Sequence, residues 1–242
     1  MQSPIIGILG GMWPYASVRC YQLFLEESRH FSWGRNNHDF PHLIIDNIPV
    51  RDLTDDLTSL DTTVAQVRSE YLRFRGSGAT IILMACNTMH LYLDRIYDPT
   101  REITHISLID TMSEYLVERK QKQVGILWSI NTIRSGLYHR ALQERGIIPI
   151  SLTDDTMLTG INTIISRVIS GERLNTDDTQ VMQTAVDTLT REWAESIILG
   201  CTELPIAFDS FDSPVPLYDP LLISVRDACE QYYSFMTDSL HS

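Results

Sequence analysis

Two cysteines of this 242-residue chain stand at the ends of short apolar runs. The run at 81–85 ends at Cys86 in the stretch MACNT, and a second run ends at Cys201 in the stretch GCTE. A thiolate can remove a proton from a carbon and a thiol can return one, provided that both lie within hydrogen-bond reach of that carbon. Two such cysteines on opposite faces of one carbon would invert its stereochemistry.

Amide and hydroxyl side chains directly follow both cysteines. Asn87 and Thr88 come after the first cysteine, and Thr202 comes after the second. Together with backbone N–H groups, they could bind a carboxylate and stabilise the enolate that forms when a proton leaves the carbon. A helix N-terminus beside either thiol would lower the pKa of that thiol, because the helix dipole favours the thiolate. These residues therefore predict acid–base chemistry at a carbon next to a carboxylate.

Three further residues are candidates for the same site. Arg51 follows the second predicted strand, and its guanidinium could bind a carboxylate through two hydrogen bonds. Thr132 could face the site, and it is also predicted, with Ser135, to be a helix N-cap residue. The stretch GILGGM, which ends at Met12, matches no nucleotide-binding loop, and its glycines favour close approach of the backbone to a small ligand.

Alternating strands and helices must position these residues. Short apolar strands separated by longer helices are typical of parallel α/β sheets that are covered on both faces. Ligands of such sheets bind beyond the carboxyl ends of the strands, where both cysteines are expected. The predicted strands are 4–9, 42–46, 79–85, 104–108, 123–128, 147–151 and 196–200, and the predicted helices are 15–30, 58–76, 89–97, 111–120, 133–145, 157–170, 177–194 and 221–238.

The two halves of the chain repeat each other. IGILGGM at 6–12 corresponds to VGILWSI at 124–130, with Gly7 and Gly125 118 residues apart, and the two cysteines are 115 residues apart. This near-constant offset predicts a duplicated α/β fold, in which two similar lobes each carry a mostly parallel sheet flanked by helices. The active site is expected in the cleft between the lobes, and the polar run at 118–123 marks their boundary.

Composition narrows the class of partner. The net charge is −12, so binding to nucleic acid or to an anionic membrane surface is not expected. The sequence has no run of 18 apolar residues and no basic segment at its start, which predicts a cytoplasmic protein without a membrane span or signal peptide. The four cysteines lack CxxC spacing and are expected to be thiols rather than disulfides. Cys20 and Cys229 lie in helical patterns and are predicted to be core residues.

Neither a cofactor nor a metal ion is expected. The chain has two lysines, Lys120 and Lys122, and both lie in the polar boundary run, where a Schiff base with pyridoxal phosphate is not expected. His90 and His105 are interpreted as isolated structural residues rather than metal ligands. Direct thiol chemistry on a small-molecule substrate is therefore the preferred hypothesis.

Four motifs carry a family resemblance: IGILGGMWPYAS, ACNTMH, TIRSGLY and GCTELP resemble the aspartate/glutamate racemase family of cofactor-independent, two-cysteine enzymes. The resemblance extends from residue 6 to about residue 226. The resemblance implies racemisation of an acidic amino acid, aspartate or possibly glutamate, by a homodimer. It also implies that the final segment LYDPLLISVRDA returns to the first lobe, which gives a first lobe of 1–115 plus 215–242 and a second lobe of 116–214.

The resemblance implies a role for each candidate residue. Cys86 and Cys201 match the acid–base cysteines, and Arg51 matches an arginine that meets the side-chain carboxylate. Met12 matches the residue that closes the glycine loop. The residues that match those holding the α-carboxylate are Asn87, Thr88 and Thr202.

Departures from the family pattern keep other functions open. Trp13 stands where the family has a glycine, and Ile169 stands where some members have a lysine that would share the distal carboxylate with Arg51. Trp128 and Ser129 replace a glycine–threonine pattern, and two tryptophans near the site would suit a less polar substrate. The alternatives are another reaction on the same scaffold, namely hydantoin racemisation, maleate-type isomerisation or decarboxylation, and a ligand-binding homologue without catalysis.

Overall fold

The computed structural model divides the chain into two compact units. Unit 1 comprises Met1–Leu108 and Leu221–Ser242, and unit 2 comprises Ile109–Pro220. Each unit contains one four-stranded sheet in which every pair of neighbouring strands is parallel. The described residues are 4–32, 36–51, 58–98, 103–209 and 211–240.

The sheet of unit 1 has the strand order β2-β1-β3-β4 and helices on both faces. Its strands are β1 (Ile6–Gly10), β2 (Leu43–Asn47), β3 (Ile81–Met84) and β4 (Thr104–Ile106). Its helices are α1 (Pro14–Ser32), α2 (Leu60–Gly76), α3 (Leu93–Ile96) and most of α10 (Pro220–Leu240), with 3-10 turns at Asn37–Asp39 and Thr88–Tyr92.

Strand β3 shows why both faces of this sheet need a helical layer. Its four residues are all buried, and successive side chains of a strand point to opposite faces. Ile82 and Met84 pack in a core with residues of α2, whereas Ile81 and Leu83 pack in a second core with residues of α1 and α10. A strand that is apolar on both faces suits the centre of a parallel sheet.

The sheet of unit 2 repeats this arrangement in the order β6-β5-β7-β8. Its strands are β5 (Gln123–Leu127), β6 (Ile148–Ser151), β7 (Ser196–Leu199) and β8 (Leu217–Tyr218). Its helices are α4 (Leu108–Glu118), which begins at the last residue of unit 1 before the chain enters unit 2, α5 (Ile130–Ser135), α6 (Leu137–Glu144), α7 (Asp155–Ile169), α8 (Thr176–Arg191) and α9 (Leu204–Ala207).

Helices α7 and α8 cover one face of this sheet, and their starts are encoded locally. The Asp154 carboxylate accepts a hydrogen bond from the Met157 N–H at 2.8 Å, which caps α7. Asn175 and Asp178 form a capping box at the start of α8. The buried apolar residues of the two helices then pack against β5 and β7 in one core.

The predicted fold class, two similar α/β lobes with parallel sheets, is confirmed. The predicted helix 133–145 is interrupted, because Gly136 adopts a left-handed conformation with φ of +68° and ends α5 before α6 begins. The short elements α9 and β8 were not predicted. The segment 215–242 divides: Leu217–Tyr218 pair with β7 in the sheet of unit 2, and the chain belongs to unit 1 from Leu221 onward.

Candidate active site

Cys86 lies at the topological switch point of the unit 1 sheet. From β1 the chain passes to β2 on one side and later to β3 on the other, so the carboxyl ends of β1 and β3 flank the place where such sheets bind ligands. The Ala85 N–H donates to the Leu9 carbonyl oxygen at 2.9 Å and fixes the end of β3 beside β1. Cys86 follows directly, with 5% of its surface exposed.

A tight glycine turn ends β1 at the same place. Gly11 has φ of +85°, and a Cβ atom there would lie 2.2 Å from the Ile48 backbone nitrogen, so only glycine fits. The Gly11 N–H donates to Ser17 Oγ at 2.8 Å, which ties the turn to the first residues of α1. Met12 comes next and is buried, whereas Trp13 is partly buried.

The remaining candidates of unit 1 also follow carboxyl ends of strands. Asn87 is buried, and Thr88 is partly buried and begins the 3-10 turn after it. Arg51 lies beyond β2, outside regular secondary structure, and is exposed. The sheet therefore places the candidates Met12, Arg51, Cys86, Asn87 and Thr88 along one edge of unit 1.

Cys201 occupies the equivalent position in unit 2. It follows β7 and Gly200, whose N–H donates to the Leu127 carbonyl oxygen at 2.7 Å and holds the end of β7 beside β5. Cys201 is partly exposed, and the following Thr202 is buried. Both cysteines thus lie at switch points of sheets with the same strand order.

Glu203 is a site residue that the sequence analysis missed. The Cys201 thiol donates to Glu203 Oε2 at 3.0 Å, and the Thr202 hydroxyl donates to the same oxygen at 3.0 Å. Glu203 is fully buried, so these donors offset part of the cost of removing its carboxylate from water. Its place inside the motif GCTE was the available signal, because an acid two residues after a cysteine can reach the thiol.

Thr132 lies in the first turn of α5, at the carboxyl end of β5. Thr132 is buried, and its hydroxyl oxygen is 2.6 Å from Ser129 Oγ. The predicted N-cap role of Thr132 and Ser135 is wrong. Ser129 is the N-cap residue of α5, and Ser135 ends that helix, where its hydroxyl donates to the Thr132 carbonyl oxygen at 2.6 Å.

The two tryptophans that depart from the family pattern have different surroundings. Trp128 is a core residue, with 1% of its surface exposed and its ring packed edge-on against Tyr138 at 4.7 Å between centroids. A Cβ atom on Gly200 would lie 3.0 Å from the Trp128 ring, so this glycine makes room for the indole. Trp13 is the tryptophan that borders the glycine turn.

The other two cysteines, and the histidines His90 and His105, all belong to unit 1. All four cysteines are thiols, as predicted, and Cys20 and Cys229 are core residues. The interpretation of His90 and His105 as isolated is wrong, because their ring centroids are 5.7 Å apart. Within the described residues, no group of three His, Cys, Asp or Glu side chains could hold a metal ion, and no helix is long and apolar enough to cross a membrane.

Two doubly wound sheets with the same strand order, each with a thiol at its switch point, define a duplicated α/β fold. The profile of the family described as Asp/Glu/Hydantoin racemase matches residues 9–228. The chain therefore belongs to the Asp/Glu/Hydantoin racemase family and is an isomerase of the racemase class.

Relatives of known name agree with this family. The chain is 22% identical over 236 residues to the broad specificity amino-acid racemase RacX of Bacillus subtilis, covering 96% of this chain and all of the relative. It is 23% identical over 156 residues to the glutamate racemase of Limosilactobacillus reuteri. That match covers 62% of this chain and 56% of the relative, so it spans little more than half of the longer protein.

Solved structures share the fold. An aspartate racemase homologue from Pyrococcus horikoshii superposes with a TM-score of 0.76 and 26% identity, covering 96% of this chain and 99% of that one. A protein from Yersinia pestis described as an Asp/Glu racemase gives a TM-score of 0.81 at 21% identity, covering 95% and 99% of the two chains. Glutamate racemase from Francisella tularensis, in complex with D-glutamate, gives 0.65 at 16% identity, covering 99% and 83%.

Proposed function

We propose that this protein racemises an acidic amino acid, with aspartate as the first candidate and glutamate as the second, without a cofactor. Cys86 and Cys201 act on opposite faces of one α-carbon, one as the thiolate that removes the proton and the other as the thiol that returns a proton. The observation that carries this proposal is the presence of a cysteine at the switch point of each of two sheets with the same strand order.

The two cysteines start from different protonation states in this mechanism. Ionisation of Cys201 would place a second negative charge 3.0 Å from Glu203, so the carboxylate favours the neutral thiol as a proton donor. Cys86 has no acidic side chain at the equivalent position, because the residues that follow it are Asn87 and Thr88. We therefore assign the proton-removing role to Cys86 and the proton-donating role to Cys201 for one enantiomer, and the roles exchange for the other.

Polar groups next to the thiols are proposed to bind the substrate. Asn87, Thr88 and Thr202 hold the α-carboxylate and stabilise the enolate that forms when the α-proton leaves. Thr132 contributes its hydroxyl from the end of β5, and Met12 closes the glycine turn against the ligand. The exposed guanidinium of Arg51 is available to the distal carboxylate, where it forms two charge-assisted hydrogen bonds.

A second candidate is a broader or different substrate on the same scaffold. The relative that covers the whole chain is named a broad specificity amino-acid racemase, and the family description includes hydantoins. Ile169 supplies no charge for a distal carboxylate, which weakens selection for aspartate. A panel of apolar amino acids and a hydantoin, assayed beside aspartate and glutamate, distinguishes these substrates.

The direct test is exchange of the α-proton. The purified protein, without added cofactor, is incubated in D2O with L-aspartate or L-glutamate, and the α-proton is followed by NMR alongside chiral analysis. Deuterium at the α-carbon together with the D-isomer is expected. Ligand-induced thermal stabilisation without any exchange would instead indicate a binding protein that lacks turnover.

Cysteine variants test the two-base mechanism. Cys86→Ser and Cys201→Ser are each expected to lower racemisation by about 10³-fold or more, because each removes an acid–base group from the reacting carbon. Cys20→Ala and Cys229→Ala are the matched controls, since both change a buried core thiol, and the rate should stay near that of the parent. Racemisation at the parental rate by either serine variant would exclude two-cysteine catalysis.

The oligomeric state and the location in the cell remain predictions. We expect a homodimer, which light scattering of the purified protein after size exclusion would check, and a cytoplasmic location, which cell fractionation would check.

A further inference from the structure

The imidazole ring of His90 connects two backbone groups, one of which is the carbonyl group of Cys86. It lies four residues after the cysteine, in the 3-10 turn Thr88–Tyr92, with 5% of its surface exposed. Its Nδ1 is 2.8 Å from the Cys86 carbonyl oxygen. Its Nε2 accepts a hydrogen bond from the Leu108 N–H at 3.2 Å.

These two contacts assign the proton on the imidazole ring. A backbone N–H can only donate, so Nε2 carries a lone pair toward Leu108. The proton is therefore on Nδ1, which donates to the Cys86 carbonyl oxygen. The neutral ring is held in one orientation, because each nitrogen has a different backbone partner.

The position of Leu108 in the chain explains why this bridge matters for the candidate site. It is the first residue of α4 and the last residue of unit 1 before the chain enters unit 2. His90 therefore fastens the peptide between Cys86 and Asn87 to the point where the chain leaves the unit. No ladder hydrogen bond could do this, because β3 ends at Met84 and β4 ends at Ile106.

Unit 2 supports its cysteine in another way. The Cys201 carbonyl oxygen accepts a hydrogen bond from the Leu204 N–H at 3.0 Å, inside the local turn. With the 115-residue offset of the cysteines, the residue equivalent to His90 is Pro205, which has no donor for such a bridge. Among the described residues, the position of unit 2 that corresponds to His90 thus carries no histidine bridge.

An aromatic cluster keeps the ring of His90 in place. The His105 ring packs beside it at 5.7 Å between centroids, and Tyr97 packs beside His105 at 5.4 Å. His105 belongs to this cluster, but its ring nitrogens form no hydrogen bond to the described residues. His90 and His105 therefore share their surroundings and differ in the backbone bridge.

We infer that His90 is a positioning residue for Cys86. The inference rests on the proposed function in treating Cys86 as an acid–base group. His90 sets the direction of the Cys86 carbonyl group, and thereby the backbone that carries both the thiol and the amide of Asn87. Acid–base catalysis depends on the placement of the thiol, and a displacement of about 1 Å can cost about 10²-fold in rate.

The test compares His90→Leu, which removes both hydrogen bonds, with His90→Gln, whose amide keeps one donor and one acceptor. The matched control is His105→Phe, which changes the neighbouring ring without touching the bridge. Alkylation by iodoacetamide is followed for each cysteine separately by peptide mass spectrometry, so that Cys201 serves as an internal control. The rate of α-proton exchange is measured on the same variants.

We expect His90→Leu to raise the alkylation rate of Cys86 by about 5-fold, because loss of the bridge loosens the turn around a buried thiol. Cys201 should react at its parental rate, and kcat for racemisation should fall by about 10-fold to 10²-fold with a smaller change in KM. His90→Gln should recover part of both effects. His105→Phe should leave the reactivity of Cys86 unchanged.

Unchanged or slower alkylation of Cys86 in His90→Leu would overturn the inference, and so would an equal effect of His105→Phe or parallel changes at both cysteines. The alkylation measurement does not require turnover, so it decides the role of His90 even if the parent protein racemises none of the substrates tested. Conversely, an active parent and an equally active His90→Leu variant would remove the positioning role and leave the proposed function intact.

Discussion

The turns that follow β3 and β7 carry equivalent cysteines but have different chemical surroundings. In unit 2 the Cys201 thiol donates to a buried carboxylate of Glu203. In unit 1 the residue that corresponds to Glu203 is Thr88, which cannot hold a negative charge, and the turn is held by the imidazole of His90. The two sheets therefore hold a thiol at the same position but in different electrostatic surroundings. This difference suits the use of one cysteine as the acid and the other as the base.

At the strand ends beside the cysteines, a glycine of each sheet corresponds to a larger residue of the other sheet. Gly10 and Ala85 meet at the end of the first sheet, where the equivalent residues of the second sheet are Trp128 and Gly200. The indole fills the space that the glycine leaves, and its edge packs against Tyr138. Unit 1 thus keeps a slender turn at its switch point, whereas unit 2 has a packed aromatic core there. A Cβ atom on Gly10 would overlap the side chain of Ser17, so this glycine makes room for α1. We propose that Gly11 and Met12 contact the substrate on the β1 side.

The electrostatic difference is tested most sharply by Glu203→Gln. The amide can still accept a hydrogen bond from the thiol but carries no charge, so it no longer favours the neutral thiol of Cys201. We expect racemisation to fall by about 10³-fold and alkylation of Cys201 at neutral pH to become faster, with Cys86 unaffected. The measurements are α-proton exchange and alkylation of each cysteine.

The matched control for this variant is Glu192→Gln, which neutralises an exposed acid just after α8. It should change neither the rate of racemisation nor the reactivity of either thiol. Parental activity in Glu203→Gln would show that racemisation does not depend on the charge difference between the two turns.

The backbone difference is tested by Gly11→Ala. Its Cβ atom would lie 2.2 Å from the Ile48 nitrogen in a conformation with φ of +85°, so the chain after β2 must move. We expect a loss of about 3 kcal/mol or more in the free energy of unfolding, measured with urea, together with loss of racemisation.

Gly146→Ala separates conformational strain from the steric clash. Gly146 also has a positive φ, of +73°, but a Cβ atom there would meet nothing within 4 Å. This variant should lose about 1 kcal/mol through strain alone and keep its activity. Equal losses at the two glycines would mean that the close approach to Ile48 does not constrain the turn.

The sequence predicted most strands and helices because their apolar patterns reflect burial directly. The run 81–85 is apolar throughout, and β3 is buried on both faces. Features that depend on one residue were missed, such as the break of a helix at Gly136, since the same glycine could also sit inside a helix. The two-residue strand β8 has too short a pattern to be distinguished from a loop.

The candidate site was predictable where residue type and strand ends coincide, as at both cysteines. Glu203 and His90 were not assigned roles, because an acid next to a threonine and a histidine four residues after a cysteine are common in any sequence. Their roles depend on side-chain direction in tight turns, which periodicity does not encode. His90 also requires Leu108 as a partner, a contact over 18 residues that no local pattern indicates.

His105 is a partly buried histidine of unit 1, and both of its ring nitrogens are buried. Burial lowers the pKa of His105 to about 3, and the neighbouring His90 adds to the shift. In the unfolded chain the pKa is about 6.5, so below that pH the unfolded state binds a proton that the folded state excludes. His105 therefore does not lower the free energy of unfolding above about pH 6.5. Below that pH the folded state loses stability as the pH falls toward 3.

The free energy of unfolding should therefore decrease by up to about 1.4 kcal/mol per pH unit between pH 6.5 and 3 through this residue. His105→Phe keeps a ring beside Tyr97 and Tyr71 and cannot be protonated, so urea unfolding at several pH values should show a shallower decrease for the variant. His30→Gln changes an exposed histidine and should retain the parental slope. If the slope of His105→Phe equals that of the parent, His105 is protonated in the folded protein and the cluster beside His90 is open to water.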